Sequence, residues 1–359
     1  MTASTAAATA ATVATLPLRI ASFLPAATEM LFSLGLGDLV CGITHECDYP
    51  PEAKQKPVVV ECVLDLEGLT MKEIDEAVSA RLKSGKSLYN VNEDKLRIAA
   101  PTLLVTQNLC QVCGPSGNEV TQVLKTLKPP PTIVWQTPKT FEEVLSAYLE
   151  LGRATGKEKE AEKWVQESRA KVKEIRENVQ AVMSRKEGGK AVRVAFVEWI
   201  DPIFAGGHWV GEMLEWAGGD DANSRKGKDS VRVPWDDVLA WQPEVIIVSP
   251  CGFDLKKSTE QAKLLMKRDG FMDLPAAKQD RVYAVDANGY FARPGIRLVE
   301  GVLLLAHMIH GGENFPWTGA EDAFARVPVE GEEGREETKE EKENGKGRGE
   351  EVEMKINEA

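Results

Sequence analysis

Residues 157–184, KEKEAEKWVQESRAKVKEIRENVQAVMS, contain neither Pro nor Gly. They carry apolar or small residues at Ala161, Trp164, Val165, Ser168, Val172, Ile175, Val179 and Val182. That three-four spacing draws one apolar stripe along a single uninterrupted α-helix, with Glu167 and Lys171 as an i,i+4 pair on the wet face. At 1.5 Å rise per residue such a helix runs roughly 40 Å, the reach of a whole domain. An alternation of strand and helix signals flanks it on both sides, each long enough to build a lobe. The stretch therefore constrains the chain to two lobes joined by a stiff rod, with the cleft between them as the natural place for a ligand.

A length of 359 residues exceeds the usual size of a single core and agrees with two lobes. In the first, buried-strand runs at Leu18–Ser22, Leu39–Ile43 and Leu103–Thr106 alternate with helical segments such as Thr70–Leu82 and Phe141–Arg153. In the second, strands at Val192–Val197, Glu244–Val248 and Arg281–Val285 alternate with helices that end in Ile296–Ile309. The fold class is α/β, two Rossmann-like lobes with parallel sheets joined by one long α-helix. The expected boundaries are an unstructured segment 1–17, an N-terminal lobe 18–156, a connecting helix 157–184, a C-terminal lobe 185–315 and an acidic tail 316–359. From about Pro328 onward the tail holds almost no apolar residues to offset the entropy of ordering it.

No apolar run approaches the roughly 20 residues that cross a bilayer, so membrane insertion is not expected. A net charge of -12 argues against a nucleic-acid partner, although much of it sits in the tail. The first residues are rich in Ala and Thr, with no Lys or Arg before Arg19, so neither a secretory signal nor an Arg-rich transit peptide is recognisable. The six cysteines, at 41, 47, 62, 110, 113 and 251, are too scattered for a secreted disulfide scaffold and read as reduced thiols. These signs predict a cytoplasmic, intracellular monomer.

In an open parallel sheet, ligands gather beyond the C-terminal ends of the strands. His45-Glu46-Cys47-Asp48 follows one strand and Cys110-Gln111-Val112-Cys113 follows another in the same lobe. Two cysteines at that spacing can hold a transition metal such as zinc, or act as a redox pair. If both loops lie on one sheet edge, His45, Cys47, Cys110 and Cys113 make a Cys₃His set; lining of a metal-free cleft and simple packing are the other readings. In the second lobe, Glu198-Trp199 ends a strand, and Gly206-Gly207-His208-Trp209 opens a helix whose backbone N–H groups suit an anionic ligand group. Trp199 and Trp209 are either a flat apolar face for a ligand or core residues. Arg293 and Arg297 stand near the start of the last helix, where its dipole disfavours cations, and so face an anionic ligand or a carboxylate. No GxSxG, P-loop, HExxH or strand-to-helix GxGxxG is present, which gives nucleophilic catalysis little support.

The segments ASFLPAATEMLFSLGLGDLVCGITHECDYP, LLVTQNLCQVC, LGRATG, GEMLEWAGG, PWDDVLAWQPEVIIVSP and RPGIRLVEGVLLLAH together resemble the Fe/cobalamin-type periplasmic solute-binding family, in its helical-backbone class. The likeness spans about Leu18 to His310 and is closest to a cobalamin-binding-like subgroup. It implies a non-catalytic protein that holds one small-molecule or metal ligand, a corrinoid, haem, siderophore or metal, between lobes that move little. Carried over motif by motif, it implies a cleft lined by His45, Glu46, Cys47, Tyr89, Cys110, Cys113, Trp199, His208, Trp209, Asn288, Tyr290 and Arg293. Transport members carry an export signal or a lipid-modified Cys near the N-terminus. Here the first Cys is Cys41, inside the expected fold, and no motif marks glutamates that dock on a permease, so a permease partner is not expected. The resulting expectation is a binder of a corrinoid-like compound, a metal or a metal chelate. The alternative is a thiol-dependent or metal-dependent enzyme that uses the His45/Cys47 and Cys110/Cys113 loops.

Overall fold

The long rod is present as drawn: in the computed structural model, which describes residues 16–107, 127–185 and 188–329, one helix covers Glu158–Ser184. Its buried residues are Ala161, Val165, Ser168, Val172, Ile175 and Val179, the stripe read from the sequence, with Trp164 and Val182 packed beside them. Glu167 pairs backward with Lys163 at 3.8 Å rather than forward with Lys171, and Lys173 pairs with Glu177 at 3.7 Å. All four side chains are exposed, so these pairs add only tenths of a kcal/mol and the helix is held by its apolar face.

The N-terminal sheet is built from β1 (Ile20–Ser22), β2 (Val40–Thr44), β3 (Val58–Cys62), β4 (Tyr89–Val91), β5 (Leu103–Thr106) and β6 (Thr132–Trp135). The spatial order is β4-β3-β2-β1-β5-β6, parallel except for β4, which runs antiparallel to β3. Helix α1 (Pro25–Ser33) follows β1, with Pro25 at its first turn where a missing N–H costs nothing. Helix α2 (Met71–Lys83) is capped by a reciprocal Thr70–Glu73 box, and α3 (Glu93–Ala99) by Asn92. Helix α4 (Phe141–Thr155) opens on a Thr140–Glu143 box and closes on Gly156, whose φ of 72° supplies the left-handed stop. The long helix, α5, then doubles back along α4. A Cβ at Gly152 would lie 2.5 Å from that of Ala161, so the close approach of the two helices needs glycine there.

In the C-terminal lobe β7 (Val192–Ile200), β11 (Val245–Val248) and β12 (Val282–Val285) form a parallel centre. The short β8 (Ile203–Ala205) and β10 (Val231–Arg232) extend it antiparallel on one side, and β9 (Gly219–Asp220) pairs with the start of β7. Helices α6 (Val210–Trp216), α7 (Trp235–Trp241), α8 (Leu255–Leu265), α9 (Pro275–Lys278), α10 (Ala287–Tyr290) and α11 (Leu298–His310) complete the lobe. The all-parallel expectation holds except where β4, β8, β10 and β13 join by antiparallel pairing. A further difference lies in the stretch assigned to the acidic tail: β13 (Phe324–Arg326) pairs antiparallel with β12, and Val327 is buried. Phe324 and Ala325 in this strand and Val327 just after it cover the edge of the sheet that β12 would otherwise leave open.

Helix α5 packs on α4 of the first lobe and on α11 and α6 of the second. It is therefore part of both cores. One contiguous apolar cluster runs from Ile20 and Leu31 through Val165 and Ile175 to Leu304 and Ile309. A second cluster, with Phe23, Val59, Val60 and Leu96, covers the other face of the N-terminal sheet.

Candidate functional site

The end of β2 turns sharply on Thr44. Its hydroxyl accepts from the Glu46 N–H at 2.9 Å and its carbonyl from the Cys47 N–H at 3.1 Å, while the His45 N–H donates to the Val60 carbonyl at 3.0 Å. The turn leaves the His45 ring exposed, 6.4 Å from the ring of the buried Tyr89. It sends Cys47 inward. That thiol is 3% exposed, lies 3.1 Å from the Thr28 hydroxyl, and is pushed up to about 11 by burial. Cys47 is thus a core residue. Cys110 and Cys113 lie outside the described residues, and among the described residues no group of three or more His, Cys, Asp or Glu is gathered to hold a metal ion.

Asp48 and Glu46 meet the other lobe. Arg293, which follows α10, donates to the Asp48 carboxylate through Nη1 and Nη2, and Nη2 also donates to the Glu46 carbonyl at 2.9 Å. One turn further on, Arg297 grips both oxygens of Glu29 of α1, through Nε at 3.0 Å and Nη2 at 2.7 Å. Its guanidinium lies 4.1 Å from the Tyr49 ring centroid and 4.0 Å from Asp286. Both arginines resolve the sequence ambiguity in favour of carboxylate partners. Burial raises the carboxyl groups of Glu29, Glu46 and Asp286 above their ordinary values. Arg297 opposes this at Glu29, His45 and then Arg293 at Glu46, and a Gly289 backbone hydrogen bond and Arg297 at Asp286.

Two further sets of contacts join the lobes. The Trp199 indole donates to the Met71 carbonyl at 3.1 Å, and Arg232 pairs with Asp75 at 2.8 Å. Lys139 stands 3.6 Å from Asp229, and the Phe141 N–H donates to Glu212 at 2.8 Å.

The Gly206–Trp209 turn packs against the 224–230 loop of its own lobe. Glu198 accepts from the Gly207 N–H at 3.3 Å and from the Ser230 hydroxyl, and burial pushes its carboxyl up to about 7. His208 adopts φ 50° and sits 3.3 Å from Asp229, with its imidazole held below the usual range by burial, which outweighs the pull of Asp229. The Gly207 N–H is therefore engaged by a carboxylate of the protein itself. Trp209 is buried and donates to the Phe291 carbonyl at 2.8 Å, and Tyr290 is buried edge-on against Trp317. Both belong to the core. Asn288 lies half-buried on α10.

Of the sequence-derived set, then, Glu46, Arg293 and Trp199 make contacts between the lobes, His45 lies exposed beside Tyr89, His208 stays against Asp229 of its own lobe, and Cys47, Trp209 and Tyr290 are in the interior. Sequence reasoning missed Glu29, Asp48 as an ion-pair partner, Met71 and the Asp75–Arg232 pair. Only Glu29 carried a signal, a lone charge inside the apolar run PAATEMLF.

Two α/β lobes on a rigid helix, with strand-end loops facing each other across a seam, define a two-lobed ligand-binding protein. The family model described as periplasmic binding protein matches residues 20–288, and the chain belongs to that family. A curated relative is an uncharacterized ABC transporter substrate-binding lipoprotein, YvrC, of Bacillus subtilis. It is 27% identical over 299 residues, covering 82% of this chain and 80% of the relative. A vitamin B12-binding protein of Vibrio cholerae is 23% identical over 286 residues, covering 79% and 86%. Among solved structures, the periplasmic vitamin B12 binding protein of Vibrio cholerae superposes with a TM-score of 0.57 at 21% identity, over 81% of this chain and 96% of that one. A periplasmic heme binding protein of Pseudomonas aeruginosa superposes with a TM-score of 0.62 at 17% identity, over 82% and 93%.

The chain is a binding protein and not an enzyme: its relatives and structural neighbours are non-catalytic solute-binding proteins. The expectation of a cytoplasmic, intracellular protein is overturned, because these relatives are a lipoprotein and periplasmic proteins, which points outside the cytoplasm. Scattered cysteines misled the reading: a chain with a contiguous apolar core of this size needs no disulfides wherever it works. Among the described residues no helix is long and apolar enough to cross a membrane.

Proposed function

We propose that this protein captures a metal-bearing macrocycle of the corrinoid kind, or a related metal chelate, in the seam between its lobes, and hands it to an ABC permease. The observation that carries this reading is the exposed imidazole of His45 beside the Tyr89 ring at the strand ends of one lobe. Trp199 of the other lobe adds an aromatic ring that reaches across the seam to the Met71 carbonyl. Flat ligands are held by aromatic faces, and an imidazole exposed at such a rim is a ready axial donor to a metal already held by four ring nitrogens. A bare ion is less well served, because Cys47 is turned into the core. The family as a whole supports a soluble-ligand role, and the lipoprotein relative, named for an ABC transporter, supports the permease partner.

The test is to purify the protein without chelator, measure bound cobalt, iron and zinc together with the visible spectrum, and titrate cobinamide, hemin and zinc while following Trp fluorescence. A coloured, saturable complex with either macrocycle is expected, lost or spectrally shifted in His45→Ala. Tight binding of zinc alone, with no spectral change from either macrocycle, would refute the reading.

A further inference from the structure

Three arginines of the C-terminal lobe reach across to the N-terminal lobe, and each ends on a carboxylate: Arg232 on Asp75, Arg293 on Asp48 and Arg297 on Glu29. The two at the centre are the pair that sequence reasoning offered to an anionic ligand. Both are enclosed, at 12% and 13% exposure, and Arg297 is held by a two-point fork that leaves its remaining Nη1 facing Asp286. Around them stand four carboxyl groups, Glu29, Glu46, Asp48 and Asp286, against two guanidiniums and the His45 imidazole beside Glu46, so acidic groups outnumber basic ones in this part of the seam. A further cation, Lys139, faces Asp229, which also faces His208. The Gly207 N–H, the other anion-attracting group of the sequence reading, is taken by Glu198. Every group among these that could greet an anion already has one from the protein.

We infer that the seam selects a ligand without net negative charge, neutral or cationic, and discriminates against chelates that present carboxylates or catecholates. The inference rests on the interlobe reading above and narrows its ligand class. An anion entering here would have to displace an internal carboxylate from a desolvated arginine, whereas a neutral or cationic ring meets the surplus of acidic groups without doing so. Arginine orientation is what decides it: the same two residues turned away from Glu29 and Asp48 would make an anion site.

Three macrocycle or chelate probes separate the possibilities: aquacobinamide, which is cationic; hemin, with two propionates; and a ferric tricatecholate complex, which is trianionic. Dissociation constants are measured by Trp fluorescence and visible absorbance at neutral pH and 0.15 M salt. Cobinamide is expected to bind at least tenfold more tightly than either anionic probe. Hemin or the tricatecholate binding as tightly as cobinamide overturns the inference while leaving an interlobe binder intact; binding of none of the three overturns both. A variant arm uses Asp48→Asn, whose partly exposed side chain tolerates the isosteric change and whose fold is checked by thermal melting. Releasing Arg293 in this way is expected to tighten hemin binding about tenfold, and an unchanged hemin affinity in the folded variant counts against the masking of the arginine.

Discussion

Arg297 of the C-terminal lobe donates Nε at 3.0 Å and Nη2 at 2.7 Å to the two oxygens of Glu29, a carboxylate 2% exposed inside helix α1 of the N-terminal lobe. The pair joins residues 268 positions apart and fastens one lobe to the other beyond the packing of α5. A buried charge pair of this kind has little net worth against an apolar substitute, yet breaking one half of it is costly because the other charge stays desolvated.

Replacing Glu29 by Ala should therefore destabilise the protein by about 3 kcal/mol, the lower end of the range for a broken buried pair, since Asp286 remains 4.0 Å from the stranded guanidinium. Arg232→Ala removes the more exposed pair with Asp75 and should cost less than about 1 kcal/mol after solvent screening. Urea unfolding midpoints of the two variants read the contrast directly. Equal losses would mean that burial does not distinguish the two bridges.

Cysteine labelling tests the inward turn of the β2 loop. Burial raises the Cys47 thiol from 9.0 to about 11, two units, so its thiolate is about a hundredfold scarcer than that of an ordinary thiol near neutral pH, and the side chain is also covered. Cys251 is exposed after β11. Iodoacetamide followed by peptide mass spectrometry should modify Cys251 in minutes and leave Cys47 intact in the folded protein. Rapid alkylation of Cys47 would show that the loop faces the solvent.

The rod, the lobes and most strand ends were legible because they depend on local pattern. An unbroken three-four stripe needs only its own residues to become a helix, and Thr70, Thr140 and Asn92 announce the starts of theirs. The seam was only half legible. His45 could be placed just after β2 and Trp199 near the end of β7 because strand signals mark both. Their neighbours Cys47 and Trp209 point the other way, for a reason set by the turn on Thr44 and by the Phe291 carbonyl, neither of which has a sequence signature. The Glu29–Arg297 and Asp48–Arg293 bridges depend on two lobes meeting, so composition could show an arginine in search of an anion without saying that the protein supplies it. The antiparallel edge strand β13 was hidden for a similar reason: three apolar residues at the head of an acidic segment become a strand only when β12 offers an edge.

Gly207 is fixed by its surroundings. A Cβ there would lie 2.7 Å from the Ser230 hydroxyl and 2.8 Å from the Lys228 carbonyl, so Gly207→Ala has to push the 224–230 loop away and break the Gly207 hydrogen bond to Glu198. An overpacked backbone contact plus a lost charge-assisted hydrogen bond should cost about 2–3 kcal/mol. Limited proteolysis should find new cleavage between Ser224 and Ser230 in the variant. A melting temperature and digestion pattern matching wild type would mean that the loop yields freely.

Glu198 gives the pH dependence its sign. Its carboxyl rises from 4.5 to about 7 because burial penalises the charged form more than the Ser230 hydroxyl and Gly207 N–H favour it. The folded state therefore holds the proton more tightly than the unfolded chain. The stabilisation is full below about pH 4.5, declines as the pH rises through the window, and is gone above about pH 7. A rise from 4.5 to about 7, at about 1.4 kcal/mol per pH unit, sets a ceiling of about 3.5 kcal/mol; the group keeps some solvent contact, so the effect is about 2 kcal/mol. Glu198→Gln keeps an acceptor for Gly207 and a partner for Ser230 without the charge. It should match wild type at pH 4 and be about 2 kcal/mol more stable at pH 8. Asp221, raised by burial to about 6, remains in the variant and should leave it a shallower slope on the acid side. Unfolding midpoints at pH 4, 6 and 8 decide the matter, and parallel profiles for the two proteins would remove Glu198 as the titrating group.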